Sequence, residues 1–278
     1  MIIFKTISQI RNHIFKLKKQ GKTIGFVPTM GCLHDGHLSL VRAAKKETDI
    51  VVVSIFVNPI QFGPKEDLKK YPKNLSRDIK FLENEDADIL FLPSARQMHK
   101  NQLTFVEVDK LGKVLCGRTR PGHFRGVATV VTKLFNIAQP DIAYFGQKDA
   151  QQLIIIKKMC RDLNFPIKIK GLPIVRERNN LAMSSRNSYL TPQEKADAAV
   201  LYNSLLLAKK LISSVEKNSL TVKAKMRKLI NKVPSINLDY IEIVNPNNLE
   251  PVSKINGRVL IAVAAWVGKT RLIDNILC

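Results

Sequence analysis

Residues 23–56 read TIGFVPTMGCLHDGHLSLVRAAKKETDIVVVSIF, and the change of hydrophobic period along this stretch decides the fold. Thr23–Val27 is short, apolar and rich in strand-forming residues, and predicts a strand that ends at Pro28. From Gly36 to Glu47 the pattern turns helical, with Leu38, Val41 and Ala44/Lys45 setting the two faces. Ile50–Phe56 is almost continuously apolar, as in a strand covered on both sides. A strand, a helix and a second strand at this spacing form a β-α-β unit with parallel strands.

The same alternation continues outward. Helical periodicity at Leu75–Glu85, Val127–Ala138 and Asp149–Leu163 is interleaved with apolar runs at Asp88–Leu92, Asp141–Phe145 and Ile167–Lys170. This predicts an α/β fold, a Rossmann-like parallel sheet with helices on both faces. Thr191-Pro192 then opens a long helix, with Thr as N-cap, Pro at the first helical position and Glu194 in the first turn. That helix runs to about Ser213, and a second covers Leu220–Lys232. Strands follow at Leu238–Val244 and Val259–Val267, with an Asn245–Asn248 loop. Two helices followed by strands predict a smaller α+β C-terminal domain. The boundary falls near Leu172–Val175, giving domains 1–173 and 174–278.

Composition narrows the class. The chain has 278 residues, 45% of them hydrophobic, which suits a globular protein with a sizeable core. Lys5 and Arg11 interrupt the opening segment, so no signal peptide is expected there. The longest apolar runs, Ile50–Val57 and Leu260–Val267, fall far short of the roughly 20 residues that span a bilayer. Cys32, Cys116, Cys160 and Cys278 form no C-x-x-C pair, and are expected to be reduced thiols in a cytoplasmic protein. Lys+Arg is 45 against Asp+Glu 23, a net charge of +22, which leaves nucleic-acid binding open. However, the lysines are scattered among many Ile and Asn residues, as an AT-rich coding sequence would produce. No segment interleaves basic and aromatic side chains as a single-strand platform does.

Chemistry concentrates between the first strand and the first helix, in Pro28–His37, PTMGCLHDGH. Ligands of open α/β sheets bind at the carboxyl ends of strands, and a helix N-terminus there favours phosphate. Gly31 and Gly36 allow close backbone approach. His34 and His37, three apart, can face one phosphate chain, where imidazolium donors would stabilise the charge on departing pyrophosphate. Two surface histidines would show the same spacing, and position after the first strand is what favours function. H-x-G-H marks a superfamily that includes the class I aminoacyl-tRNA synthetases, whose members attack the α-phosphate of ATP. Such proteins carry a second phosphate-binding loop, and Met183–Asn187 (MSSRN) is the candidate. Its two hydroxyls and one guanidinium suit β- and γ-phosphates. A polar turn capping the next helix is the alternative.

Five motifs now stand in order: PTMGCLHDGH (28–37), FVNPIQF (56–62), RPGHFRG (120–126), FGQKDAQQ (145–152) and LAMSSRN (181–187). Together they resemble the pantothenate synthetases, which join pantoate to β-alanine with ATP and Mg²⁺ through a pantoyl adenylate. The resemblance covers residues from near 23 to near 190, and the C-terminal part is similar only in length and element content. It implies an ATP site lined by Met30, Gly31, Cys32, Leu33, His34, Asp35, Gly36 and His37. Gly146, Gln147, Lys148 and Asp149 would also contact the nucleotide, with Lys148 on phosphate and Asp149 on the ribose hydroxyls. Val175 would lie beside adenine, with Met183, Ser184, Ser185 and Arg186 closing over the triphosphate from a C-terminal lid. Gln61, Asn58 and Gln152 would hold pantoate, and Gln61 would later meet β-alanine. His37, His34, Lys148, Ser184, Ser185 and Arg186 would carry catalysis. Arg125 would act as a gate or brace its loop by a salt bridge. A homodimer is implied too, with neither a membrane nor a specific nucleic acid as partner.

Two departures accompany the resemblance. Ala150 stands where the family has an aromatic residue, which predicts looser packing near the nucleotide. Arg178-Asn179-Asn180 stands where an acidic residue and a glycine are usual, and Asn tolerates the left-handed turn that glycine would supply. A transferase of the same superfamily acting on a phosphorylated substrate is the nearest rival. It would need cations where Gln61 and Gln152 stand.

Overall fold

The β-α-β unit at residues 23–56 forms the centre of the first sheet, in a computed structural model that describes residues 1–64 and 66–278. In chain order the elements here are β1 (Ile2–Phe4), α1 (Ile7–Lys19), β2 (Ile24–Thr29), α2 (Asp35–Glu47) and β3 (Ile50–Ile55). They continue with α3 (Leu75–Asn84), β4 (Ile89–Phe91), α4 (Ala95–His99), α5 (Cys116–Thr119) and α6 (His123–Ala138). β5 (Ile142–Gly146), α7 (Ala150–Asp162) and β6 (Lys168–Leu172) complete the set. The six strands run parallel in the order β1-β4-β3-β2-β5-β6.

Alternate residues of the central strands feed two separate cores. Phe26 and Val52 join Ile10, Ile14, Phe135 and Phe145 beneath α1, α6 and α7. Val27, Val51 and Val53 join Leu40, Val41 and Leu82 beneath α2 and α3. Both faces of β2 and β3 are thus dry, which is why their sequence reads as continuous apolar runs. Phe26, Phe135 and Phe145 meet edge-on, with centroids 6.3 and 6.4 Å apart. Each fully buried ring contributes about 1.5–3 kcal/mol by leaving water.

The C-terminal third has its own sheet. α8 (Pro192–Ser213) opens with the expected cap: Thr191 accepts from the Glu194 amide while Glu194 reaches back to the Thr191 amide. α9 (Ser219–Ile230) follows, then antiparallel β7 (Ile236–Val244), β8 (Leu260–Val267) and β9 (Thr270–Leu277) in sequence order. Leu201, Leu205, Met226 and Ile230 pack on Ile241 and Val263. A mixed core ties the two parts, with Leu115, Phe124 and Ile155 against Tyr240, Leu260 and Ala264.

Three features differ from the sequence-based expectation. β2 runs on through Pro28 and Thr29. β5 pairs with β2 only at Gly25 and Phe26, so Pro28, with no N–H to give, lies beyond that ladder. α6 begins at His123, four residues before the expected Val127, because Gly122 takes a left-handed φ of +79° and launches the helix inside the RPGHFRG motif. β1, α1, α4, α5 and β9 had not been expected. β9 escapes period-2 reading because Asp274 and Asn275 are both buried in it.

Candidate active site

The strand order reverses at β2. The chain adds β3 on one side of it and returns to place β5 on the other, which leaves a crevice at the carboxyl ends of β2 and β5. A cavity of about 220 Å³ opens there. The β2–α2 loop, the Gly146–Asp149 loop, α6, the Asn58–Gln61 turn and the Ser184–Arg186 turn all border it.

Gly31 follows β2 with φ +79°, and turns the chain so that His34 caps α2, its Nδ1 accepting from the Gly36 amide at 3.2 Å. His37 lies one turn on, its ring 4.1 Å from that of His34. Both rings line the cavity, and His37 Nδ1 is sealed from solvent with no hydrogen-bond partner among the described residues. Burial first, then the nearby Lys148 ammonium, pushes His34 down to about 4. Burial, then His34 and Lys148, holds His37 well below its ordinary value. The pair is therefore neutral at pH 7, which corrects the expectation of imidazolium donors. A triphosphate entering would favour protonation, opposing the effect of burial.

The loop between Gly31 and His34 is anchored by a residue that sequence reasoning passed over. Asp78 of α3, 1% exposed, accepts the amides of Cys32 and Leu33, both at 2.8 Å. Those two N–H groups are committed to Asp78, and the side chains of Cys32, Leu33, Asp35 and Gln147 lie off the cavity wall. On the facing loop, Lys148 and Asp149 line the cavity 3.5 Å apart. Asn275 of β9 holds that loop by donating to the carbonyls of Gln147 and Lys148 at 3.0 and 2.9 Å.

Val175 and Met183 border the same space, joined by the Met183 amide donating to the Val175 carbonyl at 3.0 Å. The turn between them uses Asn180 at φ +70°, the conformation in which Asn replaces Gly without strain. Ser184 accepts from the Arg186 amide, and Ser185 donates its hydroxyl to the Cys32 carbonyl at 3.0 Å. This binds the two phosphate-loop candidates to one another. Arg186 meets Asp67 through Nε and Nη2, both at 2.8 Å. Arg120 meets Glu66 likewise, at 2.8 and 2.6 Å. Burial works against ionising Glu66 and Asp67, but the facing guanidiniums prevail and hold both below the usual carboxylate range.

The other end of the cavity is amide-rich and apolar. Asn58 and Gln61 are buried, and Asn58 Nδ2 donates to Gln61 Oε1 at 3.0 Å and to the Gly126 carbonyl at 3.1 Å. Gln61 Nε2 lies 3.1 Å from Met30 Sδ. Gln152 borders the cavity from α7, and Phe56, Val127, Val130, Val131 and Leu134 supply the apolar wall. His123 was missed although its motif was noted. It contacts the Gln61 carbonyl through Nδ1 at 2.8 Å, and Arg120 Nη1 lies 3.0 Å from its Nε2. Burial and then Arg120 push it down to about 4. In RPGHFRG the cavity residues are Arg120 and His123, whereas Arg125 is exposed and stacks on Phe105, 4.0 Å from the ring centroid. A recess of about 50 Å³ lies beside Ala150, next to the nucleotide-side loop.

Comparisons with known proteins agree on one family. The chain matches the family described as pantoate-beta-alanine ligase over residues 2–277. It is 55% identical to the pantothenate synthetase of Pseudothermotoga lettingae, over 99% of this chain and 98% of that protein. Identity to the pantothenate synthetase of Caldicellulosiruptor saccharolyticus is also 55%, over 100% and 99%. Among solved structures, the pantothenate synthetase of Thermus thermophilus superposes with TM-score 0.94 at 41% identity, covering 99% of each chain. The pantoate-beta-alanine ligase of Francisella tularensis, complexed with beta-gamma ATP and beta-alanine, superposes with TM-score 0.82 at 38% identity, covering 100% and 97%.

Proposed function

The chain belongs to the pantoate–β-alanine ligase family, and we infer that it condenses pantoate with β-alanine, converting ATP to AMP and pyrophosphate through a bound pantoyl adenylate. The observation that carries this reading is one cavity whose lining joins two chemistries. His34, His37, Lys148, Ser184, Ser185 and Arg186 share it with the amides Asn58, Gln61 and Gln152 and an apolar wall.

In this reading the triphosphate lies between the α2 N-terminus and the Ser184–Arg186 turn. Lys148 and Arg186 face its negative charge, and His34 and His37 offer ring N–H donors. Val175 and Met183 flank the base, and Asp149 accepts from the ribose hydroxyls. Pantoate lies against Val127, Val130 and Leu134, with its polar groups on Gln61 and Gln152. The amides bind a hydroxy acid without the tight ion pair that would hold its carboxylate back from attack. That carboxylate attacks the α-phosphorus in line, and pyrophosphate leaves. β-Alanine then enters as its free amine, meets Gln61, attacks the acyl carbon and displaces AMP. Rate acceleration comes from positioning and fixed charge.

Mg²⁺ would accompany ATP, held chiefly by the phosphates, and would supply charge neutralisation for the departing pyrophosphate. Such ions keep several waters and lean on substrate oxygens, which suits a cavity wall whose one carboxylate among the described residues, Asp149, is taken up by the ribose. Residues 1–173 supply the nucleotide and pantoate surfaces and 174–278 act as the lid. A homodimer is proposed on the family resemblance, in which Leu103, 93% exposed in the segment 102–108 outside the sheets, would be an apolar side chain for the partner to cover. Cytoplasmic residence suits four unpaired thiols, and no helix among the described residues is long and apolar enough to cross a membrane. The test is AMP release with ATP and Mg²⁺. Turnover that needs both pantoate and β-alanine supports the ligase, and turnover indifferent to β-alanine would overturn it.

A further inference from the structure

The buried amides at the pantoate end are not free to face either way. The Gly126 carbonyl can only accept, so the Asn58 Nδ2 group, 3.1 Å away, must point at it. The second hydrogen of that group goes to Gln61 Oε1 at 3.0 Å. Asn58 Oδ1 therefore faces the opposite way, where His99 Nε2 lies 2.8 Å from it. Asn58 is 1% exposed, so this oxygen has no easy recourse to bulk water. His99 stands at the end of α4, outside the cavity lining, with its ring 5.7 Å from that of Phe56. Its Nδ1 lies 2.6 Å from Gln102 Oε1, and Gln102 Nε2 donates to the Thr104 carbonyl at 2.8 Å, so both ring nitrogens face acceptors, an arrangement satisfied by a ring carrying a proton on each.

We propose that His99 is a positioning residue for the carboxylate substrate, donating from Nε2 to Asn58 and so fixing the Gln61 amide with its N–H₂ end presented to the cavity. The proposal rests on the reading that Gln61 binds pantoate; Asn58, its own polar groups all taken by protein partners, acts on that pocket through Gln61. The direction of the chain matters chemically. With Oε1 committed to Asn58, Gln61 meets its ligand as a donor, suited to a carboxylate or hydroxyl oxygen. Turned over, it would present an acceptor and repel the carboxylate. Loss of the His99 donor leaves Asn58 Oδ1 buried and unpaired, and removes the brace against that reversal.

The test separates this role from packing. H99F keeps a ring against Phe56 and removes the donor. H99Q and H99M are a second pair of similar length, one with a donor and one without. Expected are pantoate KM values about 5–10-fold higher in H99F and H99M, with ATP KM close to wild type, a thermal midpoint a few degrees lower in both, and H99Q within about twofold of wild-type KM. In N58A/H99F the second substitution should add nothing to the first, because His99 acts through Asn58. Unchanged pantoate KM in both donor-free variants, or equal effects on pantoate and ATP, would overturn the proposal. So would full additivity in the double variant. Q61A is run alongside. If Q61A binds pantoate normally, the pocket reading fails and takes this proposal with it. If Q61A weakens pantoate binding and the donor-free His99 variants do not, only the proposal fails.

Discussion

Gly126 offers a sharp way to disturb the pantoate end while leaving the nucleotide end alone. It lies in the first turn of α6, and a Cβ there would stand 2.5 Å from the Ile60 carbonyl oxygen and 2.8 Å from both the amide nitrogen and the Cα of Gln61. An ordinary contact begins near 3.4 Å, so helix and turn must part by 0.6–0.9 Å, the difference between these distances. All three obstructing atoms are backbone, and no rotamer change relieves them. Overpacking of this kind costs about 1–3 kcal/mol, offset by the roughly 0.5–1 kcal/mol that Ala gains over Gly inside a helix. The expected G126A variant is folded, with a thermal midpoint a few degrees lower, about 2–4 °C per kcal/mol for a chain of this size. Activity should suffer far more, since Gln61 moves with the turn and the Asn58–Gly126 bond lengthens. A displacement approaching 1 Å in a positioning group costs up to about 10²-fold. The assay is kcat/KM for pantoate at saturating ATP and β-alanine, alongside KM for ATP. A G126A enzyme with the lowered thermal midpoint but wild-type pantoate kcat/KM would refute the reasoning, because the turn would then not be setting the substrate's position.

Three further outcomes follow from the site. His34 and His123 titrate near 4 when folded against an ordinary 6.5, so the unfolded chain takes up their protons first as pH falls. Stability from these rings is present above pH 6.5 and is lost toward 4 at up to about 1.4 kcal/mol per pH unit each, less for the partly exposed His34. Denaturant midpoints across that range check this, and H123N should flatten the decline. N275A removes two donors from the Gln147–Lys148 backbone, and should raise ATP KM about 5–10-fold while pantoate KM stays within twofold, read from steady-state titrations. R186K keeps the charge but loses the fork now engaged with Asp67, and should cut kcat/KM for ATP by roughly 10-fold or more with little change in melting temperature.

Much of the fold is legible in the sequence because its signals are local. The β2–α2–β3 stretch changes period within itself, and the Thr191–Glu194 cap marks α8 to the residue. The cavity's main side chains were likewise written in short motifs, since loops at one crevice must carry its polar groups. What stayed hidden depends on contacts distant in sequence. Asp78 serves Cys32 and Leu33 from 45 or more positions away, and Asn275 supports Lys148 across 127. Neither residue looks unusual beside its own neighbours. The charge state of His34 and His37 was missed for a similar reason, because burial comes from packing that no spacing rule reports. In RPGHFRG the motif was visible but its outward and inward residues were not. α6 starts four residues earlier than its apolar period suggests, and this turns Arg125 out onto Phe105 and leaves His123 inside. The net charge of +22 left nucleic-acid binding open, and the family match over residues 2–277 accounts for the motifs without it.

Isotope exchange between labelled pyrophosphate and ATP tests the central claim most directly, because it isolates the first half-reaction. The account predicts exchange that requires pantoate and Mg²⁺, proceeds without β-alanine, and collapses in H37Q and Q61A. Exchange that needs β-alanine, or that runs without pantoate, would contradict a pantoyl adenylate formed at this cavity.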